Sequence, residues 1–86
     1  LVLEKIPASL AQKVAESINI PVIGIGAGGG VDGQVLVLHD MIGMTQEFHP
    51  RFLRRYMSLH EEMTTAISEY VSDVKSSEFP NENEQY

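Results

Sequence analysis

Residues 20–40 read IPVIGIGAGGGVDGQVLVLHD, and the segment downstream of the glycines decides the fold. Gly24, Gly26 and Gly29 stand in the spacing G-x-G-x-x-G, overlapping the end of residues 22–25, a continuous apolar run of the kind that forms a strand covered on both faces. A dinucleotide-binding turn of this spacing leads from strand into helix, so that the pyrophosphate rests on the helix N-terminus, and a carboxylate about 20 residues on holds the ribose. Here residues 31–34 lead instead into Val35-Leu36-Val37-Leu38, a third apolar run that ends on His39-Asp40, with no helical periodicity before Pro50. Asp40 arrives too early for the ribose and Glu47 falls in a loop. The dinucleotide reading fails on context. A loop at the C-terminal mouth of a (β/α)8 barrel fits better, since glycines there let the backbone approach a ligand closely. For Gly28, Gly29 and Gly30 taken singly, tight turns with positive φ are the simpler expectation.

Working outward, residues 1–3 read as a strand ending at Glu4, and Pro7 suits a first helical turn because its missing N–H leaves no donor to satisfy. Leu10, Val14 and Ile18, with Ala11 and Ala15 beside them, give one apolar face over Ala8–Ser17, which Asn19 and Pro21 bring to an end. The order strand, helix, strand, loop, strand predicts an α/β fold with a parallel sheet and right-handed crossovers. Downstream, residues 50–56 read as a short helical segment. Leu59, Met63, Ile67, Tyr70 and Val74 then set the apolar face of a helix of about four turns, with Glu61, Glu62, Ser68, Glu69 and Asp73 on its solvated side. The closing SSEFPNENEQY is a polar tail that either hangs free or is pinned by Phe79 and Tyr86.

Composition narrows the functional classes. The 86 residues, 43% hydrophobic, suffice for one domain, and no apolar run approaches a membrane-spanning length. The net charge of −6, with Arg51, Arg54 and Arg55 as the one basic cluster, argues against a nucleic-acid partner. The absence of cysteine excludes disulfides and thiolate metal sites and agrees with a cytoplasmic location. The chain enters an apolar run at once without an initiator methionine, so a preceding N-terminal part is expected. His49 and His60 lack the spaced partners of a metal site and read as surface residues, while His39 and Asp40 read as strand-end residues that hold a loop by hydrogen bonds.

Taken together, LVLEKIP (1–7), IGIGAGGGVDGQVLVLHD (23–40) and the closing EFP (78–80) resemble the ketopantoate hydroxymethyltransferase family over nearly the whole chain. The resemblance implies the C-terminal third of a (β/α)8 barrel of the phosphoenolpyruvate/pyruvate type. Residues 1–78 would hold its last three βα units with terminal helices, and residues 79–86 the tail. It implies transfer of a hydroxymethyl group from 5,10-methylenetetrahydrofolate to 3-methyl-2-oxobutanoate, giving 2-dehydropantoate for pantothenate synthesis, in a homo-oligomeric enzyme that takes a small-molecule substrate. Glu4 matches the glutamate of the family's L-V-L-E motif, to which the catalytic acid/base role belongs; the bland alternative for a carboxylate here is a favourable charge near a helix N-terminus. Ile25, Val35 and Val37 are expected to face the barrel mouth and pack against the substrate's isopropyl group, with core packing as the equal alternative. Mg2+ is implied as cofactor, with its ligands upstream, so no residue here is expected to bind metal. The ending NENEQY departs from the histidine-serine-aromatic ending of many relatives. Two rivals remain: another barrel enzyme holding a phosphorylated ligand on the loop bounded by Gly26 and Gly30, and a non-enzymatic module docking through the helix that carries Leu59 and Val74.

Overall fold

Pro7 ends the extended chain and opens a helix: its carbonyl accepts the first intrahelical bonds, from the N–H groups of Leu10 and Ala11 at 3.0 and 3.1 Å. That helix, α1 (Ala8–Ser17), joins β1 (Val2–Glu4) to β2 (Ile23–Ile25), and the two strands pair in parallel with Val2 opposite Ile23 and Glu4 opposite Ile25. A third short strand, β3 (Gly33–Gln34), pairs in parallel on the far side of β2, so the sheet order β1-β2-β3 follows the chain. The expected α/β fold with a parallel sheet is what the computed structural model has, over all residues 1–86.

Parallel neighbours ordinarily need a crossover of a dozen residues or more. Between β2 and β3 only the glycine loop 26–32 serves, because strands this short require a return of roughly 10 Å. Asp32 fastens that return at Val22. Its carboxylate accepts the Val22 N–H at 2.8 Å, and the N–H groups of Asp32 and Gly33 donate to the Val22 carbonyl at 2.9 and 3.2 Å. The Gln34 side chain reaches back to the Gly28 carbonyl at 2.8 Å.

Two expected elements shift. The apolar run 35–38 is not the third strand: β3 occupies Gly33–Gln34, and Leu38 opens a short helix, α2 (Leu38–Met41). Strand β2 is too short to carry the ladder further. Its last bond to this edge is Val35 N–H to the Gly24 carbonyl at 2.9 Å, after which the N–H groups of Asp40 and Met41 turn to the Val37 carbonyl at 3.1 and 2.9 Å. Nor do residues 50–56 form a helix. One turn closes there, Leu53 N–H to the Pro50 carbonyl at 3.1 Å, before Tyr56 N–H goes to the Met41 carbonyl at 2.8 Å.

The long helix, α3 (Leu59–Ser76), has 18 residues, about a turn more than expected. Its first free donors, Leu59 and His60 N–H, are satisfied by the carbonyls of Ile42 and Gly43 at 2.9 and 3.1 Å, which ties its start to the end of α2. This seat requires Gly43, whose φ is +71° and whose position leaves no room for a Cβ beside the Met57 carbonyl. At the other end Ser77 is left-handed (φ 62°), and the N–H groups of Glu78 and Phe79 bond the Asp73 carbonyl at 2.9 and 3.2 Å. Phe79 meets Tyr70 edge-on, ring centroids 5.5 Å apart, so the tail is pinned by Phe79, while Tyr86 is fully exposed.

The buried apolar residues are Ala11, Val22 and Ala27, gathered where α1 and the glycine loop meet the sheet. The chain is long and thin, 67 × 26 × 13 Å, with a radius of gyration of 21.5 Å against about 12 Å for a compact domain of this length. The apolar side of α3 stands open, Ile67 being 59% exposed, and no strand of the chain covers it.

Gly43→Ala is expected to destabilise the full-length protein by about 2–4 kcal/mol, combining left-handed backbone strain with a collision against backbone that cannot yield. Urea unfolding followed by circular dichroism measures it; an unchanged midpoint would contradict this seat for α3.

Candidate functional site

Parallel pairing in sequential order brings the C-terminal ends of the strands to one edge. Successive strand residues point to opposite faces, so the register groups Val2, Glu4, Ile23 and Ile25 on one face and Leu3, Gly24 and Gln34 on the other. The second face is covered: Val31, Ala27 and the Gln34 side chain close over Gly24. The first has no cover from this chain, leaving Val2 and Glu4 exposed and Ile23 and Ile25 half-buried.

Glu4 is the last residue of β1, exposed, on this open face and beside Ile25 in register. Three residues separate it from α1, whose own first turn holds no acidic side chain. The chain turns at Lys5, which is left-handed (φ 51°) and donates its N–H to the Ile25 carbonyl at 2.9 Å. A non-glycine residue in this region costs about 1–2 kcal/mol. The turn brings Lys5, rather than Glu4, to line a cleft of about 650 Å³ together with Ile6, Pro7, Gly26, Pro50, Arg51 and Phe52.

Phe52 lies on Gly26. A Cβ there would sit 2.8 Å from the ring's Cγ, and φ at Gly26 is +64°, so both contact and backbone demand glycine. Gly26 and Phe52 also border two smaller hollows, one reaching Gly28, Gly29 and Gln34, the other Gln34, Val35, Leu36, Arg54 and Tyr56. The three form one trough along the strand ends. Of the loop glycines given positive φ by expectation, Gly28 has it (φ 81°), while Gly29 and Gly30 do not.

Arg55 fastens the loop that leads into Pro50. Its Nη2 donates to the carbonyls of Thr45 (2.5 Å) and Phe48 (3.1 Å), and its Nη1 lies 2.9 Å from His49 Nδ1. His49 is exposed, as expected of a surface residue, and is at the same time a partner of this fork; Nε of Arg55 is buried without a partner. His39 and Asp40 sit in α2, and their backbone carbonyls, not their side chains, accept from Met44 and Gly43 at 2.8 and 3.1 Å. Val35 lines the trough, whereas Val37 is the residue just before α2, outside it. Phe52 and Asp32 were not singled out by the sequence, and Arg55 only as part of a basic cluster, because each acts on a loop through backbone groups or a glycine, which leaves no periodicity. No group of three or more histidine, aspartate or glutamate side chains is gathered within these residues.

The profile of the family described as ketopantoate hydroxymethyltransferase matches residues 1–82. The chain belongs to the ketopantoate hydroxymethyltransferase family. It is 74% identical over all its 86 residues to a 3-methyl-2-oxobutanoate hydroxymethyltransferase of Flavobacterium johnsoniae. It is 71% identical, again over its whole length, to that of Christiangramia forsetii, and 70% to that of Parabacteroides distasonis. In each case it spans 32% of the relative's length. This membership disfavours the rival reading of the glycine loop as a phosphate site in another barrel enzyme. No helix is long and apolar enough to cross a membrane.

The trough can be tested at two points. Gly26→Ala in the full-length protein is expected to cost about 2–4 kcal/mol, part of it recovered by adding Phe52→Ala, since ring and Cβ compete for one space while the backbone strain stays; a double-mutant cycle by denaturant unfolding reads the coupling, and strict additivity would refute the contact. Arg55→Lys is expected to raise hydrogen exchange at residues 45–49, because an ammonium cannot reproduce the guanidinium fork; exchange equal to wild type would show the fork to be dispensable.

Proposed function

We propose that the full-length protein transfers the one-carbon unit of 5,10-methylenetetrahydrofolate to 3-methyl-2-oxobutanoate, giving 2-dehydropantoate, with Glu4 as the base. The observation that carries this is the place of Glu4 in a family member: the final residue of a strand, at the C-terminal edge, on the open face, beside Ile25. In a closed barrel that open face is the interior and that edge is the mouth. The sequential parallel order supports closure of residues 1–78 into such a barrel by the rest of a polypeptide the length of the relatives, with residues 79–86 as its tail.

The C3–H of the keto acid is activated by the neighbouring carbonyl but is a weak acid in water. A carboxylate at hydrogen-bond reach takes this proton and leaves an enolate. The enolate carbon bonds to the donor's one-carbon unit, the C–N bonds to the donor break, tetrahydrofolate leaves and water supplies the hydroxyl. Ile25, Val35 and Val37 are assigned to the apolar isopropyl end, Ile25 with the most direct support because it neighbours Glu4. Mg2+ belongs to the proposal as an ion held by other parts of the full-length protein, supplying electrostatic stabilisation of the enolate oxygen. A cytoplasmic homo-oligomer without nucleic-acid or membrane partners completes it.

Glu4→Gln in the full-length enzyme is expected to lower kcat by roughly 10²–10⁴-fold while leaving its circular dichroism unchanged, since an amide keeps the shape but cannot take a proton. Turnover within a few-fold of wild type would remove Glu4 from this role. The 86 residues alone are expected to form no product and to bind Mg2+ no more tightly than millimolar by calorimetry; product formation by the isolated chain would overturn this division of labour.

A further inference from the structure

The trough at the strand ends has a charge opposite to that of the chain. Twelve acidic residues stand against six lysines and arginines overall, yet the residues lining the trough include Lys5, Arg51 and Arg54 and not one aspartate or glutamate. The neighbouring Arg55 has its guanidinium engaged by carbonyls and His49, whereas Arg51 and Arg54 are exposed and make no such bonds. Two aromatic side chains, Phe52 and Tyr56, lie among these cations. Phe52 lies directly against Gly26, so its ring forms part of the trough wall.

Cations that no carboxylate of this chain engages, set beside the ring of Phe52, suit a ligand that is both anionic and flat-ringed. Long-range repulsion by the remaining carboxylates would disfavour any anion that lacked a local set of cations to receive it. Of the two reactants, the branched keto acid has one carboxylate and no ring, whereas the one-carbon donor joins a ring system to a glutamyl tail with two carboxylates. The trough also begins at Lys5, the residue next to Glu4, so a ligand lying in it would start beside the reacting centre.

We infer that this trough is the donor subsite: Phe52 packs against a ring of 5,10-methylenetetrahydrofolate, Arg51 and Arg54 receive its glutamyl carboxylates, and Lys5 adds positive charge at the end nearest Glu4. The inference rests on the proposed transferase function and specifies which part of this chain binds which reactant. Arginine suits the task because its planar fork matches a carboxylate.

The test uses the full-length enzyme and the double variant Arg51→Gln/Arg54→Gln, with Lys13→Gln on α1 as a control for loss of charge away from the trough. KM for 5,10-methylenetetrahydrofolate is expected to rise roughly tenfold in the double variant, as two partly exposed ion pairs would give, with KM for the keto acid held. The 5,10-methylenetetrahydropteroate analogue, which lacks the glutamyl group, is expected to show the same KM in wild type and variant. An unchanged donor KM, a rise confined to the keto acid, or an equal rise for the pteroate analogue would each overturn the subsite. Should the double variant not fold, Arg54→Gln alone gives the same comparison with a smaller shift. Solvent-deuterium exchange at C3 of the keto acid, followed by NMR without donor, separates the two levels: exchange by wild type together with an unchanged donor KM sinks the subsite and leaves the base assignment standing, whereas no exchange and no product sinks both.

Discussion

The parallel register between β1 and β2 is the constraint on which the rest of the molecule depends. Three pairs, Val2 with Ile23, Leu3 with Gly24 and Glu4 with Ile25, fix which side chains share a face and bring both strand ends to the same edge. A slip of one residue would turn Glu4 from the open face to the covered one. The register is held from beyond the strands as well as within them. Lys5 N–H closes on the Ile25 carbonyl at 2.9 Å, at the cost of a left-handed backbone, and Ile23 N–H closes on the Leu1 carbonyl at 2.8 Å.

The second strand end is aligned by different means. With only residues 26–32 to return from β2 to β3, the chain needs glycine at Gly26 for both conformation and clearance, and a polar clamp at Asp32 to secure the return. The small residues also let α1 lie close: a side chain at Gly28 would strike Ala8, the first residue of that helix. One short loop thus sets the helix, the third strand and the floor of the trough, which explains why a glycine spacing that looks like a nucleotide motif answers to packing and turn geometry instead.

Much of this was legible in the sequence. Continuous apolar runs announced the parallel strands β1 and β2, although only one face of them is covered within this chain, and the bounds of α1 were readable because Pro7 and Pro21 bracket an apolar stripe. The third strand was misplaced because β propensity in Val35-Leu36-Val37-Leu38 speaks of side chains, whereas a strand needs a partner with free backbone groups, and β2 ends too soon to provide them. Residues 50–56 read as a short helical segment, but Tyr56 is drawn by its backbone to Met41 and Phe52 by its ring to Gly26. The loop clamps of Arg55 and Asp32 left no pattern to read. The trough's cations were visible only as a run of arginines, since Lys5 joins Arg51 through space and not through spacing.

The central claim is that the carboxylate of Glu4 faces C3 of the keto acid. A crystal structure of the full-length protein with 3-methyl-2-oxobutanoate bound tests it most directly. The expected result is a Glu4 carboxylate oxygen within about 3.5 Å of C3, on the face where Ile25 lies. A substrate bound with C3 turned toward some other basic group, and Glu4 remote from it in solvent, would contradict the claim.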